Sequence, residues 1–118
     1  MNQDASASGP KYITVNGGLV PYAEAKVHVL SPAFRYGLNV FEGMRAYWNE
    51  QHQQLYVFRL AEHLERLMQS MKLLRFDATF SAADLAHETL ELLRANELRE
   101  TGHLRLSAYL DGEGEHHV

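Results

Sequence analysis

The apolar residues of this chain change their period twice, and that change restricts the fold more than any other feature. Short extended runs come first. "YITV" (12–15) and "LVPY" (19–22) flank "NGG" (16–18). Asn and Gly accept positive φ at little cost, so this reads as a β-hairpin with Pro21 on its edge. "SPAF" (31–34) then reads as a break in an extended piece. A β-favouring stretch from Leu38 to Tyr47, a polar turn "NEQHQQ" (49–54) and "LYVF" (55–58) read as two partner strands. Next, Leu60, Leu64, Leu67, Met68, Met71 and Leu74 recur at three and four residues, one apolar face of a helix over about 60–74. Glu62, Glu65, Arg66 and Gln69 take its other side. "SAAD" (81–84) has capping-box spacing ahead of a second helix with the stripe Leu85, Thr89, Leu92 and Leu93. Alternation returns in "HLRLSAYL" (103–110), with Leu104, Leu106, Ala108 and Leu110 on one side and His103, Arg105, Ser107 and Tyr109 on the other. Strands, two helices, then a strand specify an α+β fold: a mostly antiparallel sheet with two helices packed on one face.

Length and composition narrow the function. The 118 residues fit one domain, with no internal repeat and no interdomain linker. Residues 1–11 read as a disordered leader, since "MNQDASASGP" is small and polar and lacks the apolar core of a signal peptide; residues 12–118 read as the domain. A net charge of -4 argues against a nucleic-acid partner, which would want clustered Lys and Arg. No apolar run approaches the roughly 20 residues of a membrane span, so the default location is the cytoplasm. With no cysteine, disulfides, thiolate metal sites and cysteine nucleophiles are excluded. The seven histidines never pair at helical spacing, and "HETLE" (87–91) lacks the second histidine of a zinc protease, so no metal site is expected.

Three arginines carry the chemistry that remains. Arg59 lies where the strand 55–58 meets the helix 60–74. A cation there opposes the helix macrodipole, unless an anion sits there too or Glu62 neutralises it. Arg105, with His103 and Tyr109, makes the polar side of the last strand, which either binds a carboxylate bidentately or faces solvent. Arg45 either pairs with Glu42 or faces solvent.

One family matches these residues. "AKVHVLSPAFRYGLNVFEGMRAY" (25–47) resembles the N-terminal segment of branched-chain amino-acid aminotransferases, members of the fold-type IV (class IV) pyridoxal-phosphate enzymes. "VFRLAEHLERLMQSMKLLRF" (57–76) resembles the segment that follows, with the pattern F-R-x-x-x-H-x-x-R-L, and "HLRLSAYLDGEG" (103–114) resembles the next strand. The resemblance runs from about Tyr12 to the end. Relatives such as D-amino-acid aminotransferases usually open this region with an Asp-Arg-Gly type of sequence; here it is "SPAFRYG", followed by the branched-chain-like "VFEGMRAY".

The resemblance implies the small N-terminal domain of a fold-type IV enzyme, covering pyridoxal 5'-phosphate held by a larger C-terminal domain. It implies that Arg59 binds the cofactor phosphate. Phe41 and Tyr36 resemble the aromatic walls of the substrate side-chain pocket, and Tyr36 is expected to reach the neighbouring subunit's site in a homodimer. Gly43 would let the substrate approach the backbone, Arg45 would order the pocket, and Arg105 would receive the acidic side chain of glutamate. The substrates would be a branched-chain L-amino acid and a 2-oxo acid, 2-oxoglutarate. Two departures stand out. His103 occupies a position that is often Tyr in the branched-chain enzymes, which opens a second reading, a fold-type IV transaminase or lyase with another substrate. The family's Schiff-base lysine has no counterpart among Lys11, Lys26 and Lys72. The expectation is therefore a fragment that is inactive alone, with a non-catalytic module or gene remnant as the remaining alternative.

Overall fold

A computed structural model describes residues 9–111. Most of the expected leader (1–8) and the glycine-rich residues 112–115 lie outside the described residues.

The hairpin forms as expected: β1 (Tyr12–Val15) pairs antiparallel with β2 (Gly18–Pro21). Asn16 (φ 51°) and Gly17 (φ 84°) make the link. Two successive positive φ values give a turn whose twist matches that of the strands it joins. The hairpin is a two-stranded sheet of its own. The Asn96 side chain fastens it to the helices: Oδ1 accepts from the Lys11 and Tyr12 amides (2.8 and 3.0 Å) and Nδ2 donates to the Tyr12 carbonyl (3.1 Å).

After a 3-10 turn at Tyr22–Glu24, "SPAF" opens a short helix, α1 (Pro32–Tyr36), where a simple break was expected. Ser31 caps it by accepting from the Phe34 amide at 3.3 Å, Pro32 sits at its start and Gly37 ends it. Ser-Pro ahead and Gly behind are helix start and stop signals. They were legible but span too few residues to show a period.

The main sheet has the order β4-β3-β5, with both neighbour pairs antiparallel. Its strands are β3 (Asn39–Asn49), β4 (Gln54–Val57) and β5 (Gly102–Tyr109). Helices α2 (Leu60–Leu73) and α3 (Ala82–Ala95) occupy the predicted positions. The Ser81–Asp84 capping box is present in both directions, at 3.1 and 2.8 Å. Met44, Ala46, Leu64 and Leu104 form the core cluster, flanked by Leu55, Val57, Leu60, Leu85, Leu93 and Leu106. Leu67 and Met71 are buried further along α2. Thr89, the polar member of the α3 stripe, donates its hydroxyl to the Leu85 carbonyl at 2.7 Å, so its burial leaves no orphan donor. The core lies wholly on one side of the sheet. The opposite side of the same strands carries five of the residues that sequence pointed to.

Candidate functional site

Side chains of a strand alternate between faces, and directly opposed residues share one. On β3 this turns Glu42, Met44 and Ala46 towards the helices, and Phe41, Gly43, Arg45 and Tyr47 away from them. The register sets Phe41 against Ser107, Gly43 against Arg105 and Arg45 against His103. Five expected site residues therefore meet on one open face: Phe41, Gly43, Arg45, His103 and Arg105. Tyr47 and Tyr56 extend it as another opposed pair. Among the described residues, these three strands place no carboxylate on their outer face.

The cations there lie on aromatic rings. The Arg105 guanidinium carbon is 3.8 Å from the centre of the Phe41 ring. Arg45 lies 5.7 Å from the Tyr47 ring, and Tyr47 meets Phe58 edge-to-face at 6.3 Å. A ring face attracts a cation and limits the directions a flexible guanidinium explores. Gly43 has a more particular role. A Cβ built on it would stand 3.1 Å from His103 Cε1 and 3.4 Å from Nε2, so the imidazole occupies the space that glycine leaves.

Arg45 does not pair with Glu42, because the two point to opposite faces. Glu42 is only 5% exposed, and α2 supplies its partners. Arg66 donates to it from Nε (2.7 Å) and Nη2 (2.9 Å), and His63 Nδ1 lies 2.8 Å away. The Arg66 hydrogen bond holds the Glu42 carboxyl below the usual carboxylate range, helped by His63 and opposed by burial. Arg66 remains on the solvent side of its helix, 67% exposed, and its long stem still lets the head reach a carboxylate at the sheet. This cluster was missed, though the signals were present: an acid at an inward position of β3, and His63 and Arg66 three residues apart on one helix.

Arg59 is the residue before α2, in a left-handed conformation (φ 52°, ψ 45°). Its guanidinium makes a 3.2 Å ion pair with Glu62 and lies 5.5 Å from the Phe58 ring. The local pairing weighed from sequence is therefore present, and Phe58 links Arg59 to the rim of the open face. Tyr36 belongs to a separate element. It ends α1, is 62% exposed, and has Arg35 over its ring at 4.9 Å. Among the described residues no three His, Asp or Glu side chains converge as metal ligands would, and no helix is long and apolar enough to cross a membrane.

The amino-transferase class IV family matches residues 39–116, which spans β3 to β5 and both long helices. The chain belongs to the class IV aminotransferases. Its fold is that of the N-terminal domain of the fold-type IV enzymes. Over 93 residues this class IV chain is 43% identical to an Aquifex aeolicus protein named "Probable branched-chain-amino-acid aminotransferase", covering 79% of the chain and 30% of that relative. It superposes with a TM-score of 0.85 and 42% identity on the branched-chain aminotransferase of Thermoproteus uzoniensis, solved with norvaline, covering 92% of this chain and 36% of that one. A second similar structure is the branched-chain amino acid aminotransferase of Thermobaculum terrenum in its PLP (holo) form. There the TM-score is 0.78 and the identity 38%, covering 85% of this chain and 33% of that one. The chain thus spans about a third of the length of the relatives it matches.

Proposed function

We propose that this chain is the small N-terminal domain of a pyridoxal-phosphate-dependent branched-chain aminotransferase, which moves an amino group between a branched-chain L-amino acid and 2-oxoglutarate. One observation carries the reading. Phe41, Gly43, Arg45, His103 and Arg105, taken from two distant stretches of sequence, share one open face that is aromatic and cationic, and among the described residues its strands add no carboxylate to it. An amino or oxo acid offers such a surface a carboxylate and an apolar side chain. In this reading Arg105 takes a carboxylate by its guanidinium fork, Phe41 holds that fork and supplies an apolar wall, and Arg45 braces the neighbouring wall at Tyr47. Tyr36, on its own short helix, completes a partner's site in a homodimer, and the enzyme works in the cytoplasm.

The donor set also fits an anionic cofactor. Bound pyridoxal phosphate would supply the electron sink for chemistry at the substrate Cα. Arg59 is the phosphate ligand that the resemblance suggests, and it stands at the start of α2 beside Phe58, on the rim of the open face. Arg59→Ala should weaken the apparent cofactor affinity, followed by cofactor absorbance; an unchanged affinity would remove Arg59 from the site.

The test of the activity is a substrate panel on the protein at its natural length, with intact mass from source cells establishing that length. Turnover of Leu, Ile and Val with 2-oxoglutarate is the expected result. Poor turnover of those three beside good turnover of another amino acid supports the second reading, a fold-type IV transaminase or lyase of different specificity, which His103 favours. Failure to bind pyridoxal phosphate at natural length would point to a non-catalytic module.

A further inference from the structure

We propose that Ser31 is a positioning residue: it holds α1 on the end of the main sheet and thereby sets where Tyr36 stands. This rests on the transaminase reading and deepens it, because that reading puts Tyr36 in a partner's substrate pocket and leaves open what places it there.

A helix of five residues does not hold itself together. Isolated helices shorter than about 12 residues are marginal in water. Packing does little for α1, because Pro32 is the only one of its residues that is buried. Its aromatic residues give it no anchor either, since Phe34 and Tyr36 are 71% and 62% exposed. What fixes the helix lies at its first turn. Ser31 is 0% exposed. Its amide donates to the His28 carbonyl at 3.0 Å. Its carbonyl accepts from the Phe34 and Arg35 amides at 3.1 and 2.9 Å, and its Oγ accepts from the Phe34 amide at 3.3 Å.

Backbone bonds then tie this turn to the sheet. The Ala33 amide donates to the Leu110 carbonyl at 3.1 Å, the Leu110 amide to the Leu38 carbonyl at 3.2 Å, and the Leu38 amide to the Pro32 carbonyl at 3.4 Å. Leu110 directly follows β5 and Leu38 directly precedes β3. The three bonds close a ring that joins α1 to the ends of the two strands carrying Arg105 and Phe41.

Ser31 governs that ring because both partners of it on α1, Pro32 and Ala33, follow it directly in the chain. As N-cap it keeps an extended backbone (φ -67°, ψ 148°) while its hydroxyl takes an amide of the first turn. Alanine there removes the acceptor. So little of α1 is buried that the loss falls on α1 itself, not on the core cluster of Met44, Ala46, Leu64 and Leu104. Docked and undocked forms of α1 then share the population. Tyr36 ends the helix, more than one turn from the cap, so undocking misplaces it. Substrate affinity is scaled by the docked fraction, while turnover of the bound complex is retained.

The experiment uses the protein at natural length, loaded with pyridoxal phosphate. Ser31→Ala should raise the KM for L-leucine severalfold, up to about fivefold, the equilibrium weight of one N-cap, with kcat retained. Glycine is a tolerated N-cap and alanine is not, so Ser31→Gly should lie nearer wild type. A role in packing alone gives the reverse order, because glycine leaves the larger cavity. In a Tyr36→Ala background, Ser31→Ala should add nothing, since residues that act through one another are not additive. Ser81→Ala, the same loss on α3, should leave KM unchanged. Amide hydrogen exchange, read without substrate, should quicken at Phe34 and Arg35 in Ser31→Ala while Met44 and Leu104 keep their protection. Additive effects in the double variant, glycine worse than alanine, or unchanged exchange in α1 overturns the proposal. If the wild type turns over no amino acid, the transaminase reading has failed and the Tyr36 ring signals in NMR decide this one. Signals that shift in Ser31→Ala but not in Ser81→Ala support the positioning role; signals that stay in place overturn it.

Discussion

Strand β3 builds two unlike surfaces from adjacent residues. Met44 and Ala46 are 2% and 0% exposed against the helices, while Phe41 and Tyr47 on the other side remain 52% and 45% exposed. The buried side has close apolar packing and one acid with three hydrogen bonds. Among the described residues, the strands give the open side aromatic rings, two arginines, a histidine and no acid. Burial explains the first surface without reference to function. It gives no reason for the second, where apolar rings and cations stand in water. Exposed apolar area of that kind marks a surface meant to be covered by something else. The comparison predicts that substitutions on the two faces separate cleanly into those that change stability and those that change binding.

The largest expected effect is on the covered face. Leu64 is 1% exposed and belongs to the cluster with Met44, Ala46 and Leu104. Leu64→Ala should cost about 2–5 kcal/mol, the lost transfer energy plus the cavity left behind. Urea denaturation measures it. A loss below about 1 kcal/mol would mean that this face is not the core.

Glu42→Gln should cost less, and its pH signature separates it from simple packing. The folded-state pKa of Glu42 is lowered, with the Arg66 hydrogen bond as the main cause. Its stabilisation is thus full above the unfolded carboxylate pKa, near about 4, and is lost as pH falls through the folded value. Wild type and variant should differ at pH 7 and converge in denaturation curves as pH falls through the lowered folded-state value. A constant difference across that range would show that the ion pair is not what stabilises.

At the edge of the covered layer, Ser81→Ala removes one half of the α3 capping box. The expected cost is about 1 kcal/mol, with no change in ligand binding, since Ser81 is on no element of the open face.

How much of this was legible in sequence follows the same division. Both long helices, the hairpin and the strands were readable because a repeated period over several residues averages out local exceptions. The short helix α1 was not, because five residues cannot show a period and only its Ser-Pro and Gly ends announce it. The face of each β5 residue was readable from strict alternation, so His103 and Arg105 were placed together before any fold was known. Their neighbours on β3 were not fixed, because cross-strand register depends on turn geometry and core packing. The Arg66–Glu42 pair escaped notice for a different reason. Arg66 is solvent-exposed as its type suggests, yet its long side chain also lets a helix-surface arginine pair with an acid at the sheet. Resemblance supplied the cofactor and the substrates, which no periodicity could have given.

The smallest stability effect belongs to the open face, and it sharpens the comparison most. Arg45→Gln removes a cation that is exposed, has no carboxylate partner on its face and touches the fold mainly through the Tyr47 ring. An exposed cation–ring contact is worth about 0.5–1 kcal/mol, and glutamine keeps much of the side-chain stem. Removing one of two like charges also relieves repulsion from Arg105, which offsets part of that loss. Stability should therefore change by no more than about 0.5 kcal/mol. Ligand recognition has no such compensation, because a carboxylate bound to this face loses a cation outright. The variant should show a denaturation midpoint close to wild type and weaker binding of carboxylate ligands, with a shallower salt dependence. A large drop in midpoint with binding intact would reverse the assignment of the two faces.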